Sequence, residues 1–283
     1  MTATLLDFSL RPELGLHARV VADIESVAAP LGITPVITGA FARDLHLLYG
    51  CGIDMQRKTE DIDFGLAVPD WAAFAALRER LSVSGAFDAS ATVAHRLRHR
   101  LNGLPVDLLP FGSIETSSRT VAWPPRGDTV MDVFGFREAL AAAHRVVLPG
   151  NVQSRVVSLP GLALLKLICW QERHYRFPRK DAHDLQLILR YYLSAPNEAR
   201  LWDEFMAWTL DDDFEYELAG PRMLGHDMRE LLDNPSRSRV AGLLLAQIDP
   251  DKPGILPHEM NRSEPERARA WLVALLQGFQ AAG

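Results

Sequence analysis

A chain of 283 residues with 48% hydrophobic and 23% charged residues has the length of two ordinary domains and the apolar content to bury a core. Its net charge of −6 excludes attraction to nucleic acid by total charge and leaves any such contact to a local basic cleft. Cys51 and Cys169 lack metal-ligand spacing, and there is no basic leader or membrane-length apolar run, so the sequence predicts buried free thiols in a soluble cytoplasmic protein without a membrane partner.

In chain order, residues 17–31 read as an amphipathic helix and 33–38 as a short strand broken at Gly39. A helix over 40–50 follows, then a strand over 60–68 stopped by Pro69, then a helix over 69–83 with Asp70 as N-cap. Asn102-Gly103 predicts a two-residue hairpin turn that sets Leu101 against Leu104 and Arg98 against Asp107. In that register Leu97 and Leu101 pack with Val106 and Leu108. Beyond about residue 157 the periodicity is helical only, over 160–174, 180–193, 197–210, 221–233, 236–247 and 264–280. The expected architecture is therefore an α/β (α+β) mixed-sheet domain over 1–157 and an all-helical domain over 158–283, with a boundary around 150–158 marked by "LPGNVQS".

The stretch "RKTEDIDFG" carries Asp61 and Asp63 two positions apart in a strand, so both carboxylates face one way and repel unless a cation compensates them. Asp107, in "VDLL", offers a third acid from a neighbouring strand. The turn at Gly39-Ala40 exposes backbone amides suited to phosphate oxygens. Three oxygen donors beside such a turn suit Mg²⁺, which shares its coordination with substrate phosphates. Asp107 is equally readable as a ligand or as the partner of Arg98. Lys166 interrupts an apolar helix and requires a partner if buried; Arg173 lies near the same face, and Asp181 and Asp184 share a face of the next helix. Trp170 and Tyr175 are readable as rings that stack on a base or as core residues, with the core the expected place, and Asp211 to Asp213 are expected in a cap or solvated loop.

Gly39-Ala40, "RKTEDIDFG" and "VDLL" together resemble the nucleotidyltransferase superfamily, and "GAFARD" echoes the G-G-x-x-R-D segment of CCA-adding enzymes and poly(A) polymerases. The AbiEii-like branch, with MenT-like toxins, is the closer resemblance. It matches the R-x-T-x-D-I-D-F segment, the lysine helix "LLKLICWQER" and "RKDAHDLQLIL", spanning residues 35–190. Ala40 departs from the Gly or Ser usual there, which leaves the turn only its backbone amides.

The resemblance implies an NTP-dependent nucleotidyltransferase that uses Mg²⁺ or Mn²⁺ held by Asp61, Asp63 and Asp107. It assigns catalysis to Asp61, Asp63, Lys166 and Asp181, and nucleotide binding to Gly39, Ala40, Arg57, Thr59, Arg173 and Asp184. It further implies the toxin of a toxin–antitoxin pair, with tRNA or another RNA as acceptor and a separately encoded antitoxin. An aminoglycoside-type small-molecule transferase and a nucleotide-binding protein without turnover are the alternatives.

Overall fold

The computed structural model describes residues 4–54, 59–90, 92–194, 196–252 and 254–281. The chain divides into two compact units, residues 1–45 with 56–158, and residues 46–55 with 159–283.

The first unit is built on an eight-stranded mixed sheet in the order β1-β9-β10-β2-β3-β6-β5-β4. Its centre is β2 (Pro35–Thr38), β3 (Ile62–Val68) and β6 (Pro105–Gly112). β3 runs antiparallel to β2 and parallel to β6. β4 (Phe87–Ala89) and β5 (Arg96–His99) close one side. On the other side lie β1 (Leu5–Asp7), β9 (His144–Leu148) and β10 (Val152–Val156). A two-stranded ribbon, β7 (Thr120–Ala122) with β8 (Val130–Asp132), is separate. Ile62, Phe64 and Leu66 of β3 are fully buried, as a strand inside a sheet covered by helices requires.

Helix α1 (Gly15–Ala28) places Val20, Val21 and Ile24 in the core, and Ser154 of β10 donates a 2.6 Å hydrogen bond to its Glu25. Helix α3 (Trp71–Val83) is capped by Asp70, whose carboxylate accepts the Ala73 N–H at 2.7 Å. The short α2 (Gly39–Asp44) runs into a π-helical segment, Leu45–Gly50, in place of one continuous helix. α4 (Phe136–Ala141) packs its Leu140 against Gly65 of β3.

Three expectations need correction. "LPGNVQS" is the turn and first residues of the β9–β10 hairpin, with Gly150 and Asn151 at positive φ, and no linker. Residues 46–55 group with the helical unit. Cys51 and Cys169 are only half-buried; burial still raises both thiols, Cys169 to about 11.

The helical unit comprises α5 (Leu159–Arg173), α6 (Lys180–Tyr191), α7 (Glu198–Asp203), α8 (Tyr216–Glu230), α9 (Asn234–Ile248), α10 (Leu256–Met260) and α11 (Pro265–Gln280). The helix expected over 197–210 is α7 followed by a 3-10 turn, Met206–Leu210. α8 and α11 cross with their backbones touching: a Cβ on Gly225 would lie 1.9 Å from the Leu275 carbonyl, and one on Gly278 1.7 Å from that of Arg222. Asp227 of α8 takes both ends of the Arg200 guanidinium at 2.8 and 2.9 Å and also the Tyr192 hydroxyl, which fixes α7 and the end of α6. Among the described residues, no helix is long and apolar enough to cross a membrane.

Candidate active site

Register places the acids. Thr38 pairs with Asp63, Asp63 with Asp107, and Asp107 with Arg96, a lateral row across β2, β3, β6 and β5. Laterally paired residues share a sheet face, and Asp61, two positions before Asp63, joins them. One carboxylate oxygen from each of Asp61, Asp63 and Asp107 lies within 4.8 Å of the other two. Among the described residues this is the group of three or more His, Cys, Asp or Glu side chains with the spacing to hold a metal ion. An all-carboxylate donor set of this size fits a hard divalent cation that retains waters.

Gly39 is fitted to this cluster. It opens α2 at φ 67, and a Cβ there would sit 1.8 Å from Oδ2 of Asp63, so the turn backbone is pressed against that carboxylate. Ala40 is the second residue of α2.

Arg96, not Arg98, is the cation opposite Asp107. Its Nε and Nη2 donate to the two carboxylate oxygens at 2.7 and 2.6 Å, and Nη2 lies 3.9 Å from Asp61. The Asp107 bonds hold the Arg96 guanidinium more firmly protonated than usual. The expected turn was too short: His99 N–H donates to the Leu104 carbonyl and Gly103 N–H to that of His99, which closes a four-residue loop over 100–103. The register therefore shifts by two, which keeps every side chain on its expected face but changes its partner. Arg98 faces Pro105, and Leu101 is 70% exposed instead of packed.

Thr59 donates its hydroxyl to Asp44, which in turn holds the fully buried Arg43 at 3.0 and 2.6 Å. This ties the approach to Asp61 onto α2. It makes Asp44 and Arg43 supporting residues that carried no role in the sequence, although "GAFARD" contains both. Arg57 lies outside the described residues.

The other predicted residues meet in the helical unit. Lys166, 6% exposed, sets its ammonium 3.2 Å from Asp181 and 2.6 Å from Asp184. Arg173 adds two bonds to Asp181 at 2.7 and 2.9 Å. Burial alone would drive the Lys166 ammonium toward neutrality, but the Asp184 and Asp181 charges outweigh it and raise its pKa. Burial likewise opposes ionisation of Asp181, yet the Lys166 charge and the Arg173 bonds hold it below the usual carboxylate range. Two cations and two anions thus balance inside the fold, with Arg173, its side chain 36% exposed, as the member that reaches solvent.

The sheet and its carboxylate cluster are those of a nucleotidyltransferase. The chain belongs to the family described as nucleotidyl transferase AbiEii toxin, type IV TA system, whose model matches residues 25–265. Among solved structures it is similar to the crystal structure of ANT(2")-Ia in complex with adenylyl-2"-tobramycin. The identity is 15% and the TM-score 0.38, over 68% of this chain and 98% of that one. A solution structure of the same antibiotic-resistance factor matches at 12% identity and a TM-score of 0.35, over 69% and 96%. A tRNA-processing enzyme in an apo form matches at 13% identity and a TM-score of 0.23, over 93% and 77%. The comparison with curated proteins gave no match.

Proposed function

We propose that this nucleotidyltransferase moves a nucleoside monophosphate from an NTP to the 3′ end of an RNA acceptor, with tRNA foremost, as a toxin restrained by a separately encoded antitoxin. The observation that carries the reading is the convergence of Asp61, Asp63 and Asp107 beside the Gly39 turn. Asp61 and Asp63 would hold Mg²⁺ or Mn²⁺, with Asp107 shared between the ion and Arg96. When bound, the ion would neutralise charge on the nucleotide phosphates.

The chain's own groups do the rest. The Gly39-Ala40 amides receive phosphate oxygens. Arg96 keeps Asp107 aimed at its neighbours through its two bonds. Lys166 and Asp184 fix Asp181, and Asp181 orients the partly exposed Arg173 guanidinium.

Arg96 currently offsets part of the triad's charge. Arg96→Gln is therefore expected to tighten Mg²⁺ binding by about tenfold and to lower metal-free stability by about 1 kcal/mol, the scale for a partly exposed pair. Thermal melts across an Mg²⁺ titration check this; an ion-induced rise no larger than the parent's would show that Arg96 does not share the site.

The function itself is tested by expressing the protein in a bacterial host and sequencing RNA 3′ ends. Added nucleotides on tRNA or another RNA are expected. Unchanged RNA ends, with labelled NMP transferred to an aminoglycoside in vitro, would replace the reading with the small-molecule one.

A further inference from the structure

The turn between α5 and α6 is used by neither the carboxylate cluster nor the Lys166 network. Its residues 174–180 read "HYRFPRK" and carry Arg176, Arg179 and Lys180 around two aromatic rings. Tyr175, expected in the core, is 79% exposed, and Phe177 is 46% exposed. Leaving such rings in water forfeits the gain from burying them, so their exposure needs a reason.

The turn is held rigidly. Arg176 and Phe177 N–H groups both donate to the Arg173 carbonyl, at 3.0 and 2.9 Å, and Lys180 N–H donates to that of Phe177 at 3.4 Å. At one root, the His174 ring stacks on Trp170 with centroids 4.9 Å apart, and the Trp170 indole donates to Glu259 at 2.6 Å. At the other, Arg179 sits at φ 68, a strained position for a residue with a side chain, and its Nε donates to the Glu259 carbonyl at 3.4 Å. The tip, Tyr175 to Pro178, projects from this braced base, with the Arg176 guanidinium 5.3 Å from the Phe177 ring centroid.

Exposed flat rings interleaved with guanidinium and ammonium groups are the means by which proteins hold unpaired bases and their phosphates. An acidic protein segment would satisfy the cations but would leave the rings without a stacking partner. We propose that the α5–α6 turn receives the single-stranded end of the acceptor RNA, stacking a base on Tyr175 and Phe177 and taking phosphates on Arg176 and Lys180. This rests on the RNA-acceptor reading above and gives that acceptor a place.

The test compares the full-length parent with Tyr175→Ala/Arg176→Glu and with Arg145→Glu, an exposed β9 position given the same charge change. Binding of a fluorescent single-stranded RNA oligonucleotide is followed by anisotropy over a salt series, beside NTP binding and NMP transfer. The double variant should bind RNA roughly 10- to 100-fold more weakly. Its log affinity–log salt slope should be shallower by about 0.7 for each phosphate it no longer neutralises. NTP affinity and thermal midpoint should stay at parental values, and Arg145→Glu should behave as the parent. Equal RNA affinity in parent and double variant, no RNA binding by the parent, or an equal loss of binding to a polyglutamate probe would each overturn the docking proposal. Failure of the parent to transfer NMP to RNA would instead overturn the acceptor reading, and the binding comparison would still decide whether the turn docks RNA.

Discussion

Asp61→Asn combined with Asp63→Asn is expected to lower NMP transfer by roughly 10³-fold or more, equivalent to several kcal/mol of lost transition-state stabilisation, and to abolish growth inhibition. The fold should survive. Asp61 and Asp63 stand at the approach to β3 and on the strand itself, and neither fills the core made by Ile62, Phe64 and Leu66. Neutral amides of the same shape relieve repulsion among three carboxylates whose oxygens lie within 4.8 Å, so the thermal midpoint should equal or exceed the parent's. That combination separates the electrostatic account from simple unfolding. A double variant that retained parental transfer would remove the cluster from the chemistry, whatever its stability.

The second large effect concerns stability. Lys166→Met keeps the side-chain volume but takes the ammonium away from Asp181 and Asp184, both almost wholly enclosed. Asp181 keeps Arg173, whereas Asp184 loses the ammonium that stood 2.6 Å away. Breaking a buried ion network on one side costs about 3–5 kcal/mol, and urea unfolding should show a shift of that order. Adding Asp184→Asn should recover part of it, because a neutral amide does not need the charge that the ammonium supplied.

The pH dependence follows from two shifts of opposite sign. Asp181 has a lowered folded pKa, so its stabilisation is complete above the ordinary carboxylate value and is lost as pH falls through the lower folded value. Lys166 has a raised folded pKa, so its share is complete below the ordinary lysine value and is lost only as pH rises through the higher folded value. The gap between parent and Lys166→Met should therefore be level from about pH 6 to 9 and narrow below about pH 4. A gap within about 0.5 kcal/mol of zero at neutral pH would contradict the buried network.

What could be read from the sequence was whatever depends on parity and period. The strand alternation placed Asp61 and Asp63 on one face. The apolar surround of Lys166 called for a partner, and the three-residue spacing of Asp181 and Asp184 put both on the helix face that meets it. Asp70 was readable as a cap because its side chain needs only its own helix.

What depends on loop length or on distant strands was not readable. Arg96 and Arg98 have the same parity, so only the loop over 100–103 decides which of them meets Asp107. The β9–β10 hairpin was missed because its turn, in "LPGNVQS", reads as a linker, and its other pairings are distant: β10 lies beside β2, more than a hundred residues away in sequence. The break of α2 into a π-helical segment left no mark in "AFARDLHLLYG", which has no proline and no glycine before Gly50. Tyr175 was placed in the core on the general tendency of large aromatic rings to be buried, although Arg173, His174 and Arg176 flank it with polar side chains.

The most direct measurement is transfer of α-³²P-labelled NMP from NTPs to total RNA, with Mg²⁺ and with EDTA, for the parent and the Asp61→Asn/Asp63→Asn variant. Label at RNA 3′ ends only for the parent with Mg²⁺ is the predicted result. Equal labelling by parent and variant, or labelling that persists in EDTA, would contradict a metal-dependent centre built on Asp61, Asp63 and Asp107.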